Sequence, residues 1–229
     1  MMRLFVALCG LWICAVQAAA PLHTSAVYNF SKQGQKIGTV TETFRQGDGR
    51  YQLDSVTTGI GIFVLLGKIR LTSSGEVTDK GLRPLHFEDH RGSGRPDAIQ
   101  ADFDWEKKNI TFHFDGKTES ATLEPGTQDR ISMLYQFMFA PPKGDISLFM
   151  TTGKKLNLYH YKLAGEERIT TPAGRFQTVH LVKQHAADED GAEIWLAKNR
   201  RYFPVRIVIE ERGGARIEQN LVSLSIEGE

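Results

Sequence analysis

In the stretch 86-HFEDH-90 of this 229-residue chain, two histidines and an acid stand at alternate positions. On a strand, His86, Glu88 and His90 would share one face, and two imidazoles with a carboxylate form a ligand set that zinc accepts. Alternate strand residues stand about 6.5–7 Å apart, too far for easy chelation. Asp89 and Arg91 beside them mark the stretch as a solvated face, so no metal is expected. His160, His180 and His185, with Asp188 or Asp190, offer general bases, and Ser132 offers a hydroxyl. No G-x-S-x-G, H-E-x-x-H or Ser-x-x-Lys pattern brings such groups together. Ser132, between Ile131 and Met133, reads as a packed or back-bonded helix residue. The run 186-AADEDGA-192 reads as an acidic hairpin loop, too short in oxygen ligands for calcium. Gly92-Ser93-Gly94-Arg95 is a turn with no helix after it, hence no phosphate cradle. No catalytic residue and no cofactor is assigned, and a hydrolase-type enzyme ranks third among the readings, behind a ligand-binding protein and an envelope scaffold or assembly factor.

One stretch points to binding. The segment 59-GIGIFVLLGKI-69 sets large apolar residues between glycines at 59, 61 and 67. It has neither strand alternation nor a clean helical stripe, and it is too short to span a bilayer. Two readings stay open: a buried bulge or short core helix, or a flap over the open end of a curved sheet. On the second, Ile62, Phe63, Leu65 and Leu66 line or cover an apolar cavity that takes a lipid-like small molecule.

The elements that would position these groups are mostly strands. Ala101, Phe103 and Trp105 alternate with Asp102 and Asp104, then Ile110, Phe112 and Phe114 with Thr111 and His113; Asp115-Gly116 is a two-residue hairpin signal. Turns at Lys32–Gln35 and Gly47–Gly49 divide the earlier part, where Ile37, Val40 and Phe44 alternate loosely with Lys, Thr and Glu. Further strands are expected over 70–79, 82–91, 154–165, 174–185, 191–197, 203–211 and 215–226. Such spacing predicts an all-β fold, an antiparallel and strongly curved sheet forming an open or half barrel. One helix interrupts it: in 127–142, Ile131, Leu134, Tyr135 and Met138 recur at helical spacing, Thr127 can cap, and Pro141-Pro142 stops the run. Pro172-Ala173-Gly174 reads as a structural corner between two strands, and the rings of Phe176 and Trp195 as parts of the core.

Residues 1–18 read as a cleaved signal peptide: Arg3, an apolar run from Leu4 to Val16, and small residues at Val16 and Ala18. Residues 19–229 are then one β-rich domain located in the periplasm. Both cysteines, Cys9 and Cys14, fall in the signal, so the mature chain has no disulfide and no thiolate chemistry. Neither follows a small residue, so no lipid anchor is expected. Arg3 is the only charged residue in that segment, which leaves 27 basic against 27 acidic residues. That balance argues against nucleic acid, and nothing else in the chain reads as an integral membrane protein.

Taken in order, "GQKIGTVTETF…YQLDSVTTGI", "ADFDWEKKNITF", "PGTQDRISMLYQF" and "TPAGRFQTV…EIWLAKNRRYFPVRI" resemble the bacterial family known as domain of unknown function 3108, DUF3108. The resemblance runs from about Tyr28 to Ile226. It implies a signal-bearing envelope protein of Gram-negative bacteria with a mostly antiparallel β architecture, and it hands over no catalytic residue. A likeness to the open half-barrels that carry lipoproteins across the periplasm is one of fold type. The expected activity is binding of an apolar or lipid-like ligand within the curved sheet; the alternative is a scaffold whose sheet edge pairs with an envelope protein.

Overall fold

The computed structural model describes residues 23–92 and 98–227; the proposed signal peptide and the centre of the Gly92–Arg95 turn lie outside the described residues. The N-terminal half is a meander of eight strands. These are β1 (His23–Lys32), β2 (Gln35–Gly47), β3 (Arg50–Gly59), β4 (Ile69–Thr78), β5 (Gly81–Arg91), β6 (Ile99–Asp104), β7 (Asn109–Phe114) and β8 (Lys117–Thr122). After a two-residue strand β9 (Gln128–Asp129) and a helix α1 (Ser132–Gln136), a second meander follows. It comprises β10 (Ile146–Thr151), β11 (Leu156–Thr171), β12 (Gly174–Gln184), β13 (Gly191–Ala197), β14 (Phe203–Glu210) and β15 (Arg216–Ile226).

All belong to one sheet in which β1 pairs with β15, so chain start and chain end zip the two meanders together. Every pairing is antiparallel except β9 on β10. The sheet curls without closing: β8 forms one edge and β9 the other. Sequence chemistry explains the hairpins. Gln33, Asp48 and Asp115 take φ of 51°, each followed by a glycine at positive φ, the backbone that a two-residue turn between twisted strands requires.

Period two then sorts the faces. Val40 and Phe44 on β2, Leu53 on β3, Phe87 on β5, Ala101 and Phe103 on β6, and Ile110 and Phe112 on β7 are buried. Each buried Leu, Ile or Phe contributes about 1.5–3 kcal/mol relative to exposure. β13 is buried on both faces, which hides Trp195 beside Ile194 and Leu196; Phe176 is buried on β12.

The segment 127–142 departs from its expectation. Its helix covers only Ser132–Gln136, and Gln128–Asp129 join the sheet. Thr127 does not cap it; its hydroxyl donates to the Glu124 carbonyl. Asp129 does instead, Oδ1 accepting from the amides of Ile131 (3.0 Å) and Ser132 (2.8 Å). Nor is the segment amphipathic: Ile131, Ser132, Met133, Leu134, Tyr135, Phe137 and Met138 are all buried. The strand pairing at Gln128–Asp129 shortens the helix, and the curled sheet wraps the remainder. Strand β10 was not expected at all, because its alternation of Ile146, Leu148 and Met150 is brief and lies just after the prolines.

Candidate functional site

The hollow of the sheet is filled by the segment around α1. Tyr135 packs against Phe44 (ring centroids 5.4 Å) and edge-on against Phe203 (5.6 Å). Its hydroxyl donates to Glu42 Oε2 (3.2 Å), while Ser55 donates to Oε1 (3.1 Å). Glu42 is 3% exposed, and burial pushes its carboxyl up to about 7, with the two hydroxyl bonds pulling the other way. Asp129 is also fully buried. Burial raises its pKa against the opposing bonds from Ser132, Ser73 and Ile131. Gln136 accepts from the Leu82 amide (2.6 Å) and donates to the Lys80 carbonyl (2.8 Å), and Gln128 donates to the Leu82 carbonyl (2.8 Å). These bonds tie the plug into β2, β4 and β5. Sequence reasoning missed the Glu42 and Asp129 pair of anchors. A signal existed for the first: Glu42 lies between Val40 and Phe44 at the same two-residue period.

The stretch after Gly59 lies at the opposite extreme. Gly61–Leu66 form a 3₁₀ turn joining β3 to β4. Ile60, Ile62, Val64 and Leu65 are 42%, 76%, 57% and 86% exposed, so the buried-bulge reading does not hold. Phe63 is half-buried at the base of the turn, and the side chain of Leu66 lies outside what the structure describes. The turn is firmly built. Phe63 N–H bonds the Ile60 carbonyl, Gly67 N–H the Val64 carbonyl (both 3.1 Å), and Ile60 N–H the Ile37 carbonyl (2.9 Å). A Cβ on Gly59 would collide with the Phe63 carbonyl, so the glycine permits the chain to fold tightly onto β3.

Two open grooves are also present. One, about 570 Å³ and polar, runs over the outer face beside Glu88, His90, Gln100, His113, Lys117 and Thr118. The other, about 480 Å³ and more apolar, separates α1 from β10 along Met133, Phe137, Pro141, Ile146 and Leu148. Neither includes a residue of the Gly61–Leu66 turn.

The histidines are dispersed by the fold. His86 Nδ1 lies 2.7 Å from Asp102 Oδ1, and His113 Nε2 3.5 Å from Asp102 Oδ2. His90 joins neither contact, and among the described residues no group of three His, Cys, Asp or Glu is arranged to hold a metal ion. His160 meets Ser147 (2.8 Å), and His185 the Ala186 carbonyl (2.9 Å). His180 sits between Glu193 (2.8 Å) and Glu167 (3.3 Å) and stacks on Trp195. Ser132 Oγ donates to the Asp129 carbonyl (3.2 Å), the back-bonding that its setting predicts. The corner joins β11 to β12 as expected: Gly174 has φ 128°, and Ala173 N–H bonds the Leu221 carbonyl.

The family model described as "Protein of unknown function (DUF3108)" matches residues 24–221. Two solved structures are similar in outline. One is a protein described as exported, with a YmcC-like fold, from Bacteroides fragilis NCTC 9343, at 11% identity over 90% of this chain and 96% of that one, TM-score 0.41. The other is the Mycobacterium tuberculosis lipoprotein LppX, at 13% identity over 86% and 84% of the two chains, TM-score 0.29. No curated protein matches the chain. Among the described residues no helix is long and apolar enough to cross a membrane.

Proposed function

This chain belongs to the DUF3108 family, and from that premise we propose that it is a periplasmic protein that binds an apolar or lipid-like ligand. The observation that carries this reading is the Ile60–Leu65 turn, where Ile60, Ile62, Val64 and Leu65 face water on a backbone bonded to β2 and across the ends of the turn. Several large apolar side chains exposed together on one short segment are a common mark of a contact surface. Ile62, Phe63, Leu65 and Leu66 are the contact residues of this reading; the groove between α1 and β10, which none of them lines, is a separate, more apolar surface. The signal-like segment at residues 1–18 and the absence of cysteine after it support the compartment. Native mass spectrometry of protein purified without detergent tests the reading. A co-purifying lipid or fatty acid, reduced in Ile62→Ser/Leu65→Ser, is the expected result. A bare chain mass that stays unchanged after incubation with fatty acid and phospholipid contradicts it.

A second reading has its own observation. The short β9 covers β10 only at Met150 and Thr151, leaving Ile146–Phe149 as a sheet edge beside an apolar groove. An envelope protein could add a strand there. A photo-crosslinker at Ser147 that captures one discrete envelope protein, and captures none when carried at Glu119 on the opposite edge, would favour this scaffold reading.

A further inference from the structure

We infer that the Gly59–Gly67 turn docks the protein on an anionic lipid bilayer, its apolar apex entering the acyl boundary and its basic base sitting among the headgroups. The inference rests on the reading of the turn as a lipid contact and names the form that the lipid takes. Three observations carry it. The first is the shape of the exposed patch: Ile62, Val64 and Leu65 project from the tip of a hairpin rather than lining a concavity. A protruding apex fits a deformable acyl boundary better than a protein groove, which would need side-chain polar groups to fix register, and residues 59–67 carry none.

The second is charge. Residues 59–70 contain Lys68 and Arg70 and no acid. Lys36 lies on β2 next to Ile37, whose carbonyl holds Ile60. Lys36 and Lys68 are exposed. Arg70 is paired with Asp54 at 2.6 Å, and no carboxylate lies within ion-pair distance of Lys36 or Lys68 among the described residues. The unpaired cations thus stand at the base of an apolar apex, the order in which an anionic bilayer presents phosphate and then hydrocarbon.

The third is the backbone. The hydrogen bonds across the ends of the 3₁₀ turn, from Phe63 N–H to the Ile60 carbonyl and from Gly67 N–H to the Val64 carbonyl, with Ile60 N–H bonded to β2, satisfy polar groups that would otherwise lose water on entering the interface. The turn is too short to cross, so the contact is peripheral and reversible.

Sedimentation with vesicles tests this, comparing phosphatidylcholine alone with phosphatidylcholine containing phosphatidylglycerol. The wild type should bind the anionic vesicles, more weakly as salt rises. Ile62→Ser/Leu65→Ser should weaken that binding by at least about tenfold. Lys36→Glu/Lys68→Glu should remove the preference for phosphatidylglycerol, and both variants should keep the wild-type melting curve. Equal binding to both vesicle types, or a serine variant that binds as the wild type does, overturns the inference. A turn that docks on a protein binds neither vesicle and overturns it too. If the protein carries lipid in native mass spectra yet ignores vesicles, the bilayer inference fails and the lipid-contact reading stands. If the serine variant changes neither lipid content nor sedimentation, both fail.

Discussion

Two short apolar segments interrupt the strands of this protein, and they have opposite fates. Residues 131–138 are swallowed by the curled sheet, whereas Ile60, Ile62, Val64 and Leu65 stand in water. Their apolar content is similar, so hydrophobicity alone does not decide burial. The plug brings polar anchors at Gln128, Asp129, Tyr135 and Gln136, each of which finds a partner on β2, β4 or β5. Those bonds offset the desolvation of the groups they satisfy and fix the plug in one orientation. The turn brings glycines, a tight fold onto β3 and lysines at its base. The difference teaches that the polar residues within an apolar segment determine whether it can become core.

The largest effect should come from cutting the plug. Tyr135→Ala removes a fully buried ring, breaks its stacking on Phe44 and its edge-on contact with Phe203, and strips a donor from Glu42. Denaturant melts should show a loss of about 3–5 kcal/mol. A loss below about 1 kcal/mol would mean that the segment is a loosely held lid rather than core.

Next comes the acid beneath it. Glu42 has a folded pKa of about 7 against an ordinary 4.5. The folded state therefore holds its proton where the unfolded state has released it. The stabilisation is complete below the unfolded value and is lost as pH rises from about 4.5 to 7. From this carboxyl alone the fall is about 3 kcal/mol, and the raised pKa of Asp129 acts in the same direction. Melting temperatures measured between pH 5 and 8 should decline in the wild type and decline less in Glu42→Gln, which keeps the shape of the side chain and one acceptor oxygen but cannot ionise.

The corner should respond more mildly. Gly174 has φ 128° with open space where a side chain would go, so Gly174→Val costs backbone strain of about 1–3 kcal/mol without a clash. Lipid content per folded molecule should not change. The turn should respond least: each of Ile62→Ser and Leu65→Ser should alter stability by less than about 0.5 kcal/mol, as exposed positions do.

Much of the fold was legible in the sequence because antiparallel strands write their faces in alternation. Phe103, Ile110 and Phe112 point inward as their period requires, and the Asp115-Gly116 signal sits in the turn it predicted. The plug was legible as an interruption but not as a structure: helical spacing at Ile131, Leu134, Tyr135 and Met138 said nothing of a sheet that buries every side. Its length was set by the long-range bond from Ser73 to Asp129 and by the pairing of Gln128–Asp129 with β10, which no local pattern records. The turn at residues 60–66 was legible as an anomaly, with burial and exposure both open. The lack of room for a Cβ between Gly59 and the Phe63 backbone, and the long-range bond from Ile60 N–H to the Ile37 carbonyl, accompany the exposed form, and neither is written in a local pattern.

The central claim is that the turn, and not any exposed apolar residue, meets lipid. Protein beginning at Ala19 carries no cysteine, so a polarity-sensitive fluorophore can be placed once, by Leu65→Cys on the turn or by Leu158→Cys on β11, which is 48% exposed. On adding vesicles that contain phosphatidylglycerol, the emission of the label at position 65 should shift to the blue and resist an aqueous quencher, while that at position 158 stays unchanged. Identical responses at the two positions, or none at position 65, would contradict the account.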